Sequence, residues 1–120
     1  QFVRSITVFQ NLSLARSLAG LSANNELAES LLNELGITHR MHAKPSDLSI
    51  GERQRASIAR ALVTNPKVVL ADEPTSALDD ENAALVANLL QRTVTGHGAA
   101  LIVVTHDQRL KNRFQNSITL

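Results

Sequence analysis

Apolar residues keep a helical spacing through the first part of the chain and then gather into short unbroken runs, and the change comes near Pro45. Ile6, Val8, Leu12, Leu14, Leu18 and Leu21 run through a first stretch among polar neighbours. Leu27, Leu31, Leu32 and Leu35 recur at i, i+4, i+5 and i+8 in a second, which is the spacing that gathers side chains on one face of a helix. Gly36 reads as the stop of that second helix, because glycine takes the left-handed turn on which many helices end. Beyond Pro45 the pattern predicts a helix over residues 51–64, a strand over 67–71, a helix over 80–95, a strand over 99–105, a short helix from about residue 108 and a last strand near Ser117. Pro66 and the run Gly96, His97, Gly98 mark turns, and no repeat or low-complexity segment interrupts the order. Strand, helix, strand is the order of a parallel βαβ unit, so the fold class is read as α/β. Residues 1–47 form a small helical subdomain, and residues 48–120 hold an arginine-rich helix followed by a piece of parallel sheet.

Composition narrows the function classes. A chain of 120 residues with 43% hydrophobic content makes one small globular domain or part of a larger one. Twelve basic residues stand against 11 acidic ones, so no general electrostatic attraction to nucleic acid is expected and nucleic acid is not a predicted partner. The absence of cysteine excludes disulfides and thiolate metal sites, and the four histidines do not cluster at ligand spacing. The longest apolar run, residues 99–104, is far too short to span a bilayer, and no charged-then-apolar leader opens the chain. These features predict a soluble, cytoplasmic protein. The chain starts on Gln1 and stops inside the apolar stretch Ser117, Ile118, Thr119, Leu120, so it reads as a fragment.

Two segments carry candidate phosphate chemistry. In the first, Leu48, Ser49, Ile50, Gly51 and Glu52 lead into a helix bearing Arg53, Arg55 and Arg60. Ser49 and Glu52 have the spacing of a capping box, in which the serine oxygen takes the backbone amide of residue 52 and the glutamate returns to the serine amide. The same helix start presents free amides and a positive dipole end to an anion, and Gly51 lets a phosphate oxygen approach the backbone. Ala56, Ile58, Ala59, Leu62 and Val63 supply an ordinary buried stripe, so the arginines alone prove nothing. In the second segment the run Val68, Val69, Leu70, Ala71 ends on Asp72 and Glu73. Adjacent carboxylates repel and lose hydration unless a cation or a polar network stands nearby. In phosphoryl-transfer sites one such aspartate fixes Mg2+ through water and a neighbouring carboxylate orients the attacking water, roles that suit Asp72 and Glu73. The strand over 99–105 delivers His106 to the same edge, since parallel strands end together on the side where ligands bind.

These residues, in this order, carry a family resemblance that covers essentially the whole chain. Leu48 to Arg55, Ile58 to Leu62, Leu70 to Asp79 and Val103 to Asp107 resemble the ATP-binding-cassette (ABC) ATPase domain of transporters, and Ile6 to Leu12 is similar to the segment that opens that family's helical subdomain. The resemblance implies a partial P-loop NTPase-like sheet. It makes the first block the signature motif, with Leu48, Ser49, Gly51 and Glu52 at ATP, and Asp72 the Walker B aspartate on Mg2+ through water. Glu73 becomes the catalytic glutamate, residues 76–79 a D-loop with Asp79 linking two sites, and His106 the switch histidine. It further implies ATP and Mg2+ as cofactors and a second ATPase domain in a head-to-tail dimer. Ser49 and Gly51 then touch the γ-phosphate held by the opposite protomer. A transmembrane permease is implied as partner, docked on residues before Asp47, which puts the protein peripherally at the inner face of the cell membrane. The segment from Leu70 to Thr75 and the ending Thr105, His106, Asp107 look like the lipoprotein-release and macrolide-efflux branch.

The chain departs from the family pattern at three points. Ile50 stands where glycine is usual and Glu52 where glutamine is usual, and the added negative charge near an anion weakens signature affinity unless Arg53 or Arg55 compensates. No Gly-x-x-x-x-Gly-Lys-Ser/Thr run occurs, so nothing here cradles the β- and γ-phosphates in cis and the isolated chain is expected not to hydrolyse ATP. It is also expected to be marginally stable, with an exposed sheet edge. Two competing functions remain open on sequence: a non-transport ABC-type ATPase acting in DNA repair, chromosome maintenance or ribosome work, and a nonenzymatic interaction fragment.

Overall fold

The computed structural model describes residues 2–114. Its elements are α1 (Val8–Leu18), α2 (Asn25–Glu34), α3 (Ile50–Leu62), β1 (Val68–Asp72), α4 (Asp80–Gly96), β2 (Ala100–Val104) and α5 (Gln108–Lys111), with 3-10 turns at Thr38–Arg40 and Pro45–Asp47. The strand expected near Ser117 lies outside the described residues. The chain forms two compact units, residues 1–67 and residues 68–120. The texture change at Pro45 therefore falls inside the first unit. The reason is the apolar stripe of α3, where Ala56, Ile58, Ala59 and Leu62 are buried and the helix packs on α1 and α2.

In the first unit three helices share a core of Val8, Leu12, Leu31, Leu32, Leu35, Ile37, Leu62 and Val63, all at most 1% exposed. Each helix is started by a side chain that takes an otherwise unpaired amide. Thr7 and Gln10 make a capping box on α1, and Asn24 caps α2. Gly36 has φ 73°, with its amide bonded to Asn33 O and that of Ile37 bonded to Leu32 O. This is the Schellman arrangement that the stop signal predicts, and it drops Ile37 into the core. The first apolar stretch is less regular than its spacing promises: Val8 and Leu12 are buried, whereas Leu18 is 77% exposed. Asn11 is buried among apolar residues, and its side chain accepts from Val3 N at 2.7 Å and donates to Val3 O and Thr7 O at 3.0 and 2.9 Å. It pins the segment before α1 to the helix.

In the second unit β1 and β2 pair in parallel, with Val68 opposite Ala100 and Asp72 opposite Val104, and α4 crosses between them as the βαβ pattern predicts. Val69 on the strand and Ala83, Val86, Ala87, Leu90 and Val94 on α4 are buried. The opposite face of the sheet, Val68, Leu70, Ile102 and Val104, is more than half exposed. Because strand side chains alternate, Asp72 lies on that same open face.

Leu32 sits at the centre of the helical unit. Leu32→Ala is expected to destabilise the fold by about 2–5 kcal/mol, read as a lower urea midpoint with an unchanged slope. A loss below about 1 kcal/mol would place the core of the unit elsewhere.

Candidate functional site

The candidate residues of the first unit meet at the start of α3. Leu48 is buried and extended, closing the 3-10 turn over Pro45–Asp47, and sets the direction from which Ser49 enters the helix. The capping box forms as the spacing predicts. Glu52 N donates to Ser49 Oγ at 3.1 Å, and Ser49 N donates to Glu52 Oε1 at 3.0 Å. The amides of Ile50 and Gly51 are left without an intrahelical carbonyl, and among the described residues no hydrogen bond takes them. A Cβ built on Gly51 meets nothing within 4 Å, and its backbone is ordinary helix. Among the described residues nothing crowds a side chain at this position, so the helix start is open to solvent. Ile50, half exposed, stands beside it.

Among the described residues neither Arg53 nor Arg55 is bonded to Glu52, so the compensation weighed for them comes from elsewhere. Arg53 Nη2 reaches only Leu48 O, at 3.4 Å. The partners of Glu52 come instead from the 3-10 turn Thr38–Arg40. Arg40 Nε lies 3.2 and 3.1 Å from the two carboxylate oxygens, and His39 Nε2 lies 3.2 Å from Oε2. The Ser49 amide first, then Arg40 and His39, hold the Glu52 carboxyl well below its usual range, at about 2.

The candidate residues of the second unit meet where the two strands end. Glu73 has φ 47°, a left-handed conformation uncommon for a side chain of this kind. Its amide still continues the ladder to Val104 O at 2.7 Å. The turn separates the two carboxylates: Asp72 stays exposed at the strand end, while Glu73 reaches over to the end of β2. There Glu73 Oε2 accepts from Thr105 Oγ1 at 2.9 Å and Oε1 accepts from the His106 amide at 2.8 Å. The His106 ring is exposed. Asp79 is the N-cap of α4, accepting from Asn82 N at 2.8 Å.

A second network, which the spacing did not reveal, binds residues 75–80 to the loop after β2. Asp107 accepts from Thr75 Oγ1 at 2.8 Å and from Arg109 through Nε and Nη2 at 2.9 and 2.8 Å. Arg109 also donates to Thr75 O, Leu78 O and Asp80. Arg109 and then Thr75 keep the Asp107 carboxyl strongly depressed. Thr75 and Asp107 fall inside the motifs quoted above. Arg40 and His39 carry no signal in sequence, because Glu52 is 12 or more residues away; the same holds for the reach of Arg109 to Thr75, Leu78 and Asp80, about 30 residues back, though its pairing with Asp107 is local.

The sequence matches the family described as ABC transporter over residues 1–76. It is 43% identical over 113 residues to the lipoprotein-releasing system ATP-binding protein LolD of Syntrophus aciditrophicus, covering 92% of this chain and 51% of that protein. It is 42% identical to LolD of Gluconobacter oxydans, covering 95% and 50%. The chain thus spans about half the length of these curated relatives. Among solved structures, the dimeric post-hydrolysis state of the ATP-binding cassette MJ0796 bound to ADP and Pi superposes with a TM-score of 0.73 at 32% identity, over 89% of this chain and 49% of that one. cbiO1 of Clostridium perfringens, part of the ABC transporter complex cbiONQ, superposes with a TM-score of 0.77 at 29% identity, over 89% and 43%.

A depressed carboxyl in the native state contributes stability above its unfolded pKa, usually 4.5 for this group, and that contribution is lost as pH falls toward about 2. The stability difference between wild type and Glu52→Gln is therefore expected to shrink as pH is lowered through that window, measured by denaturant unfolding at each pH. A difference that stays constant would show that Ser49, Arg40 and His39 do not hold the charge.

Proposed function

The chain belongs to the ABC transporter family, and we propose from that premise that it supplies the signature and Walker B half of a subunit that hydrolyses ATP to drive a membrane transporter. The carrying observation is the junction at Glu73, where one carboxylate is turned away from Asp72 and bound to Thr105 and the His106 amide. Both donors are neutral groups, so among the described residues the carboxylate is fixed beside the histidine loop without being paired to a basic side chain, and each oxygen keeps a further lone pair for a water.

The chemistry divides among the residues as follows. The donor set fits Mg2+ in a limited way. Among the described residues no three His, Cys, Asp or Glu side chains gather as a ligand set, so Asp72 would supply one carboxylate and water and phosphate oxygens the rest, which is the usual habit of this ion. When bound it would neutralise charge building on the phosphates. Glu73 orients the attacking water and accepts its proton. His106, exposed at the end of β2, meets the γ-phosphate. Ser49 and the amides of Ile50 and Gly51 receive the γ-phosphate of a nucleotide held by the partner in a head-to-tail pair, Leu48 and Glu52 shape that helix start, and Asp79 links the two sites. The cis cradle for the β- and γ-phosphates is assigned to a segment beyond these 120 residues, and the isolated chain is expected to be inactive.

Relatives named as parts of a lipoprotein-releasing system support the same system for this protein. Its partner would be a membrane-embedded permease docked on the subdomain of residues 1–47, and its place the inner face of the membrane. Among the described residues no helix is long and apolar enough to cross a membrane. The non-transport alternative has no support among these relatives, whose names and family are those of transporters.

Glu73→Gln in the full-length protein keeps the side chain's size and removes the proton acceptor. It is expected to lower kcat for ATP hydrolysis by about 100-fold or more while ATP binding persists, measured by steady-state turnover and equilibrium nucleotide binding. Undiminished turnover would remove Glu73 from the chemistry.

A further inference from the structure

Glu52 creates an electrostatic conflict at the proposed phosphate contact. Its carboxylate lies in the first turn of α3, one residue beyond Gly51, and an incoming phosphate would face a like charge beside the amides that receive it. The observed geometry removes the conflict. The carboxylate is drawn back over the N-cap by Ser49 N, and Arg40 Nε spans both of its oxygens.

The turn that carries Arg40 is itself held in place. Arg40 N bonds to Ile37 O at 2.9 Å, Met41 N to Thr38 O at 3.0 Å, and Met41 O accepts from Phe9 N at the start of α1 at 3.0 Å. Ile37 is fully buried. The guanidinium is thus delivered by packed backbone. His39, whose side chain is 63% exposed, adds one bond to a single oxygen of the same carboxylate.

We propose that Arg40 is a positioning residue for the contact between α3 and the terminal phosphate of ATP: it neutralises Glu52 and keeps that carboxylate turned onto Ser49, so the amides of Ile50 and Gly51 meet an anion without a competing negative charge. The inference rests on the reading that the start of α3 receives the γ-phosphate. It makes Arg40 and Glu52 a matched pair in which the arginine is needed because the glutamate is present.

The test uses ATP turnover of the full-length protein. Arg40→Ala is expected to raise KM for ATP about tenfold, the scale of one lost charge-assisted bond, with kcat changed less than KM. Adding Glu52→Gln is expected to bring KM back to within about twofold of Glu52→Gln alone, because the uncompensated charge is then gone. Arg40→Lys, which keeps the charge and loses the rigid Nε donor shared by the two carboxylate oxygens, should fall between wild type and Arg40→Ala. If the double variant is as impaired as Arg40→Ala, Arg40 merely braces its turn and the proposal fails. If Arg40→Ala is insoluble, Arg40→Gln takes its place in the same comparison. Ser49→Glu separates the two levels: turnover unaffected by a second carboxylate at the helix start would overturn the phosphate contact itself, and the role of Arg40 with it.

Discussion

Two carboxylates in succession at the end of a strand must be parted or neutralised, because each raises the cost of ionising the other. Here they are parted by the backbone. Asp72 keeps its place on the open face of the sheet, and the chain turns into a left-handed conformation at Glu73, which sends the second carboxylate across to the end of β2. The two strand ends are joined there by bonds to Thr105 and to the His106 amide. The turn that follows can then start, Pro74 and Thr75 become buried, and Thr75 is free to hold Asp107. The placement of residues 72 to 79 against the loop after β2 follows from this one separation.

Charge is managed by a common principle in both units. Each candidate site includes a carboxylate that is also a helix cap, Glu52 on α3 and Asp107 on α5, and each is bound by a single arginine through two contacts. A cap alone satisfies amides; a cap plus an arginine is also locally neutral, so it fixes the backbone without spreading negative potential. Carboxylates left outside this arrangement, Asp72 and Glu73, are the ones assigned to chemistry.

Much of this was legible in the residues. Elements with a strong period and a terminal signal appear where spacing puts them: α3 after Ser49, α4 after Asp79, β1 before the acidic pair, β2 after Gly98. Ser49 and Glu52 could be read as a cap because the motif is local, and His106 could be brought near Glu73 because parallel strands end together. Arg40 on Glu52, and the reach of Arg109 back to Thr75, Leu78 and Asp80, could not be read. Their partners are reached through turns, and a turn's direction is set by packing, here by Ile37 and by the Glu73 conformation, neither of which leaves a periodic trace. The first apolar stretch misled for a related reason, since helical spacing names the apolar side chains of a segment but not where the helix stops facing the core. The bare face of Val68, Leu70, Ile102 and Val104 belongs with this. Parallel strands are usually covered on both faces, and the two strands described here are covered by α4 on one alone.

The left-handed backbone at Glu73 has an evolutionary consequence. A long side chain there holds a conformation that costs about 1–2 kcal/mol, and asparagine or glycine would adopt it with less strain. Selection for thermal robustness alone would therefore drift away from glutamate at the position where the proposed hydrolysis needs a proton acceptor. A laboratory lineage screened only for solubility or melting temperature is a setting in which the protein would improve as a fold while losing its chemistry, and residue 73 is where that trade would be recorded first.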